Sequence, residues 1–355
     1  MNTKTEITQK NSNRILWIDA AKFAAIMAVY LDHCYVFVTE KPTFVNLSFF
    51  SVSLFILLMG ITSYQSCKRS SFDLKNKLKK ILLPYLGAVF IYHIFDNKGF
   101  NLETYLADLV HFNHPGHLYY VLVYIQLAAI TPVIFYIFKK TEGIKNVFLR
   151  RILAFVIIIF ISVLATNHTY ITSAFGGGRA LFGGTYLILF YLGMWFADVH
   201  NKITLQKKQS LYLLIISASM TLIWMTLIAL KRFKFDRFFP FYQGINPPGL
   251  TLCVYSTLIL LTFYSLGNLL TFYPQSFLNK IFKIFASAGR HTLYMYLYHW
   301  LILVYIYPKI TNKYGYFFNS FKITNIIFMT IAVFIPIGIE HITKYLMKKL
   351  NECYR

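Results

Sequence analysis

The chain has 355 residues, of which 57% are hydrophobic and 19% aromatic, and a formal net charge of +22. Apolar runs of about 20 residues recur along its whole length, which excludes an ordinary soluble domain and points to an integral membrane protein. With the N-terminus inside, most of the 35 Lys and Arg fall in cytoplasmic segments, so the charge marks topology and anionic-lipid contact rather than a nucleic-acid footprint.

The first fourteen residues are polar and lack a cleavage site after a short apolar core, so a removable leader is not expected. The first apolar span, 15–37, then carries Asp19, Lys22, Asp32 and His33. At about 100° per residue, the step from Lys22 to His33 turns a helix by about 20° beyond whole turns, so both lie on one face. The same step rises about 16 Å, roughly half the hydrocarbon core of a bilayer. Asp19 lies one turn below Lys22 on nearly the same stripe. Ionisable groups at membrane depth face a partner or a water-filled cavity and mark functional paths. Asp19 and Lys22 could alternatively snorkel to the headgroups, which does not account for His33. A neutral imidazole at that depth can accept a proton from a substrate hydroxyl; it can also serve as an interhelical hydrogen-bonding group. Asp32 faces about 100° away from His33 and is not automatically its orienting partner.

Further spans follow near 46–65, 81–96, 118–138, 152–167, 180–198, 209–230, 248–270, 290–309 and 322–346. The runs are continuous, without the period-two alternation of barrel strands, so helices are expected. The expected fold is an all-α integral membrane protein, about ten transmembrane helices in a single bundle with both termini cytoplasmic. A tail (1–14), a membrane domain (15–346) and a second tail (347–355) make up the chain. No extramembrane stretch is long enough to fold alone.

Between the second and third spans lie Lys75, Lys77, Lys79 and Lys80, followed by Ile81-Leu82-Leu83-Pro84-Tyr85. Lys77 and Lys80 share a helix face and can hold phosphates, or act only as topogenic charge. The segment 97–117 contains His111, His114 and His117 around Pro115, but no pattern of supporting carboxylates, and no metal site is expected. Gly176-Gly177-Gly178-Arg179 can bring backbone close to a ligand or form a plain turn. Lys231, Arg232, Lys234 and Arg237 fall on the external side, as an entrance for an anionic acceptor or as a sign that the seventh or eighth span is misplaced. In the ninth span Thr292, Tyr296 and His299 form an i, i+4, i+7 stripe, which can line a polar cavity or join helices. Cys34, Cys67, Cys253 and Cys353 show no paired spacing, so neither a disulfide framework nor a zinc site is expected.

Taken in order, these features resemble the membrane acyltransferase family 3, which moves acyl groups, usually acetyl, from acyl-CoA onto surface carbohydrates. The family's basic residue, ten positions and His reads here as Lys22 and His33, with Asp32 before the His and Asp19 one turn earlier. Its basic-x-x-basic pair before Pro-Tyr reads as Lys77, Lys80, Pro84 and Tyr85. His117-Leu118-Tyr119-Tyr120 with Pro132, then Tyr191-Leu192-Gly193, then Gly289, Thr292, Tyr296 and His299 supply the later signatures. The resemblance covers the chain from Arg14 to the tenth span.

That resemblance implies acyl-CoA as donor substrate, with no permanently bound cofactor, and a glycan or lipid-linked glycan as acceptor: an O-antigen, lipopolysaccharide, capsule or exopolysaccharide unit. His33 is the implied general base and Lys22, Lys77 and Lys80 the implied acyl-CoA contacts. Asp19, Asp32, His117, Arg179, Tyr296 and His299 are supporting or substrate-binding candidates. Tyr296, His299 and His117 are unranked candidates for oxyanion donors. The implied location is a bacterial inner membrane, with the bilayer and glycan-assembly proteins as partners. Lys stands at three positions that are often Arg in the family, which keeps the charge and loses the planar two-pronged donor set. The esterase-like domain of some members is not seen after the tenth span. A glycan translocator of the same family is the alternative function. A proton-coupled transporter using Asp32, His33 and Glu340 is a third reading, although paired Gly/Pro-broken helices are missing and only Pro336 would kink the tenth span.

Overall fold

The computed structural model describes residues 14–38, 46–97, 99–112, 115–141, 146–167, 184–230, 248–307, 309 and 322–353. Its α-helices are α1 (Leu16–Val38), α2 (Phe50–Lys68), α3 (Leu74–Asn97), α4 (Leu102–His111), α5 (Tyr119–Lys140) and α6 (Val147–Asn167). They continue as α7 (Gly184–His200), α8 (Lys207–Ala229), α9 (Leu250–Thr271), α10 (Phe277–Ala288), α11 (Thr292–Leu301) and α12 (Lys322–Cys353). The expected all-α architecture is observed, with no β-sheet among the described residues. Among the described residues, five helical stretches are long and apolar enough to cross a membrane: Phe50–Lys68, Leu74–Asp96, Gly116–Lys140, Lys207–Ala229 and Leu250–Thr271. Shorter apolar stretches run through Arg151–Ser162 and Tyr186–His200. The outer faces of α6 and α8 expose Val156, Phe160, Ile216 and Leu222, side chains that need lipid rather than water around them.

Helix α1 is the centre of the bundle, packed by α2, α9, α10, α11 and α12. Its first half joins a core with α2, α5, α7 and α9, where Ala20, Ala21, Leu57, Leu189 and Tyr191 are buried. Its second half joins another core with α3, α11 and α12, around Tyr30, Tyr92, Met295 and Ala332. The tightest crossing is α2 on α7, where Gly60 and Gly193 meet. A Cβ on Gly193 would fall inside contact distance of the Leu57 carbonyl, and one on Gly60 inside that of the Phe190 carbonyl. Without a hydrophobic drive inside lipid, small residues that let backbones approach decide such crossings. Gly193→Ala is therefore expected to force α2 and α7 apart and cost about 1–3 kcal/mol, read as a lowered melting temperature of the purified protein. An unchanged melting temperature would contradict the tight crossing.

Polar side chains serve the bundle in two ways. Thr62, Thr131 and Thr221 donate to carbonyls one turn back within their helices. Between α8 and α9, Thr221 and Thr262 hydroxyls lie 3.3 Å apart, and the Trp224 indole donates to the Thr251 carbonyl at 3.0 Å. A larger network joins α2, α5, α6 and α7. Arg151, 1% exposed, donates to Asp198 Oδ2 from Nε at 3.0 Å and from Nη2 at 2.7 Å. The Tyr64 hydroxyl donates to Asp198 Oδ1 at 2.6 Å, and the guanidinium lies 3.9 Å from the centroid of the Phe138 ring.

Two further helices lie between the predicted spans. Helix α4 is capped by Asn101, whose side chain accepts the Thr104 N–H at 3.1 Å, and exposes Leu102, Leu106 and Val110 along one face. His93 ties it to α3 through Asp108 at 3.0 Å. Helix α10 begins at Ser276, whose hydroxyl accepts the Asn279 N–H at 3.2 Å. It buries Asn279, Phe282 and Ala286 and exposes Phe277, Leu278, Ile284 and Phe285, the pattern of a helix lying at a membrane surface.

Candidate active site

A cavity of about 290 Å³ opens between α1, α2, α3, α5 and the start of α11. Lys22, Lys77 and Lys80 all line it, joined by Arg14 and Arg290. The three lysines singled out from sequence, two of them more than fifty residues beyond the first, thus converge on one space. Asp19 is the one carboxylate among its described lining residues, and Lys22 holds it at 3.1 Å. The cavity keeps an excess of positive charge and suits an anion. Lys77 is half-buried, donates to Ser63 Oγ at 3.3 Å and lies 4.4 Å from the centroid of the Phe72 ring, which leaves its ammonium fixed in place. Lys80 is exposed at the mouth. Pro84, one turn on, has no N–H to return to the Lys80 carbonyl, so that carbonyl lacks its usual helical partner beside the cavity.

Gly289 sets where the cavity sits. Any side chain there would press on the Asp19 carbonyl, so the glycine lets the turn after α10 seat directly on the first turn of α1. From that turn α11 departs, and its Thr292, Leu293 and Tyr296 form part of the lining. Phe55, Met59, Tyr120 and Tyr124 complete an apolar and aromatic wall.

Beyond Tyr296 lie three histidines from three parts of the chain: His33 on α1, His117 in the 3₁₀ turn Gly116–Leu118, and His299 on α11. The His299 ring centroid is 5.1 Å from that of His33 and 4.7 Å from that of His117. Trp300 meets the His33 ring edge-on at 5.0 Å. The Tyr296 hydroxyl donates to the His117 carbonyl, and His299 Nδ1 donates to the Tyr296 carbonyl at 2.7 Å. A carbonyl only accepts, so Nδ1 of His299 carries a proton and Nε2 of the neutral ring is left as an acceptor. That Nε2 and both ring nitrogens of His117 are buried without a hydrogen-bond partner. Buried polar atoms are rarely left so, and a group of them around one point is where a ligand's polar atoms would fit.

Tyr92 shapes this corner. Its hydroxyl donates to the Leu297 carbonyl at 2.8 Å and accepts the Leu301 N–H at 3.0 Å. Those two backbone groups would bond each other in a regular α-helix. The hydroxyl is therefore wedged into the ladder around His299, and a π-helical turn, Ile302–Ile306, follows immediately. Inserted side chains and π-turns are the recognised causes of such distortion, often at functional positions.

The structure also separates residues that the sequence left together. Glu340 bonds His291 Nδ1 at 2.8 Å and pairs with Lys344, about 12 Å of helix rise from His299, so it is not a partner of His33. His111 is exposed at the end of α4, whereas His117 is buried in the histidine cluster. Asp32 is half-buried, beside His33 on α1. Arg179 with its glycine run, His114 and the basic group Lys231, Arg232, Lys234 and Arg237 lie outside the described residues. Tyr92, Arg14 and Arg290 were not singled out from sequence, although Arg290 stands next to the Gly289 that was.

A family model described as an acyltransferase domain matches residues 15–340, nearly the whole chain. No curated protein and no solved structure matches it.

Proposed function

Since the chain belongs to the acyltransferase 3 family, we propose that it transfers an acyl group, acetyl in the first instance, from cytoplasmic acyl-CoA to a hydroxyl of a surface or lipid-linked glycan. The observation that carries this reading is a cationic cavity whose wall residue Tyr296 also bonds the histidine cluster, where His117 and His299 hold unpartnered nitrogens. In this reading the ten predicted spans cross a bacterial inner membrane with both termini cytoplasmic, and the cavity faces the cytoplasm.

Lys77, Lys80 and Lys22 hold donor phosphates as point charges, and the pantetheine arm runs along the aromatic wall toward His33. His33 takes the proton of the acceptor hydroxyl as its oxygen attacks the thioester carbonyl. The carbon–sulfur bond of the tetrahedral intermediate then breaks, and the imidazolium returns the proton to the leaving thiolate, giving coenzyme A and the ester. Among the candidate oxyanion donors, the hydrogen-bond pattern favours His117 in this reading. The Tyr296 hydroxyl is already given to the His117 carbonyl, and His299 presents an acceptor. His117, with two unpartnered ring nitrogens, is the group best able to donate to the oxyanion.

Binding of acetyl-CoA to the purified protein tests the donor assignment. Saturable binding is expected, weakened about tenfold in Lys77→Ala, with His33→Ala binding as wild type. No saturable binding by a folded wild-type protein would contradict the enzyme and favour a glycan translocator, which has no use for a donor.

A further inference from the structure

A second cavity, of about 420 Å³, opens beside the first, between the start of α1, the ends of α7 and α9, and α10. Arg14, His200 and Lys283 line it, and no carboxylate does among the described residues. Arg14 lines the first cavity too, so the two spaces meet at one side chain. The rest of the wall is largely apolar, with Trp17, Leu270 and Phe282. The orientation of Lys283 follows from α10. Phe282 is buried on the bundle, and Asn279, one turn back, anchors the helix by donating its side-chain amide to the Pro274 carbonyl at 2.8 Å. Lys280 lies on the same helix and is exposed like Lys283, but stays outside the cavity lining.

Size and charge together suggest an occupant. A cavity of about 290 Å³ stands at the small end for small-ligand sites. An acyl-CoA has three parts to place: a pantetheine arm, a diphosphate, and an adenosine bearing a 3′-phosphate. The first cavity supplies basic groups for the diphosphate and an aromatic wall for the arm, and at that size leaves the adenosine to be placed elsewhere. The second offers basic groups for a phosphomonoester and an apolar wall for a purine ring.

We propose that the second cavity binds the 3′-phosphoadenosine end of the donor, with Lys283 as a phosphate contact and Arg14 bridging the two halves of the site. The inference rests on the acyl-CoA reading above and adds to it a nucleotide subsite built from α1, α7, α9 and α10. Because α10 seats on α1 through Gly289, filling that subsite also braces the turn that positions Lys22 and Tyr296.

The test compares acetyl-CoA with 3′-dephospho-acetyl-CoA, measuring binding to wild type, Lys283→Ala and Lys280→Ala in nanodiscs with and without anionic phospholipid. Wild type is expected to prefer acetyl-CoA by about tenfold, as for loss of a charged hydrogen-bonded contact. Lys283→Ala is expected to lose most of that preference by binding acetyl-CoA more weakly, with the dephospho donor unaffected and Lys280→Ala like wild type. An equal penalty on both donors, or wild type indifferent to the 3′-phosphate, overturns the subsite. A Lys283 effect that vanishes without anionic lipid and is the same for both donors assigns the cavity to a lipid headgroup and likewise overturns it. Failure of wild type to bind either donor contradicts the acyl-CoA reading itself.

Discussion

His33→Ala is expected to lower acyl transfer by about 10²- to 10⁴-fold, the usual contribution of a positioned general base, while donor binding and membrane insertion persist. The three outcomes separate because of where the residue sits. His33 is half-buried and packs against His299 and Trp300, whereas the core of α1 is made by Ala20, Ala21, Ala25, Ile26 and Tyr30. Its loss empties no core position. It does not line the cationic cavity, so affinity for the donor is unchanged. His299 is the natural competitor, because its unpartnered Nε2 is an acceptor 4.7–5.1 Å, ring to ring, from the other two histidines. Residual activity in His33→Ala that disappears in a double variant with His299→Ala would place His299 as a substitute base. Full activity in His33→Ala alone, lost in His299→Ala, would transfer the assignment to His299.

Arg151→Met is expected to be the most damaging change away from the histidine cluster, by about 3–5 kcal/mol, because it leaves Asp198 buried without its main partner. The carboxylate would retain the Tyr64 hydroxyl and Lys202, whose ammonium lies 3.0 Å away on a half-exposed side chain. Asp198→Asn is expected to be similarly costly, since it leaves a buried guanidinium facing a neutral amide. The two together should cost clearly less than their sum, because each removes the reason the other hurts. Thermal unfolding of the singles and the double, with wild type, checks this. Strict additivity would show that the pair does not hold α6 to α7.

The helical membrane fold was legible because its signal is local: each span is a continuous apolar run, readable without knowing its neighbours. The convergence of Lys22, Lys77 and Lys80 was legible only through the order of short motifs along the chain. Spacing alone relates Lys22 to His33, and Lys77 to Lys80, but not one pair to the other. Tyr92 could not be read at all. Its hydroxyl meets a backbone 205 residues away, and a tyrosine in an apolar run carries no mark of that. Arg151 is indistinguishable in sequence from nearby topogenic residues such as Lys139 and Lys140, since nothing local separates a buried guanidinium from a solvated one. Helix α10 was readable in principle, since its lysines and its apolar residues fall on opposite helical faces; what the sequence does not show is that the bundle covers only Phe282 and Ala286 of that apolar arc and leaves Phe277, Leu278, Ile284 and Phe285 exposed. The tautomer of His299, which decides between donor and acceptor, depends on a carbonyl one turn back and emerges only in three dimensions.

The measurement that bears most directly on the account is transfer across a bilayer by the wild-type protein in liposomes, with labelled acetyl-CoA on the face that carries Lys77 and Lys80 and a glycan acceptor on the opposite face. The account predicts label esterified to the glycan across the intact membrane, and none when His33 is alanine. Label that appears only when donor and acceptor share a face, or no label from a protein that binds the donor, would contradict it.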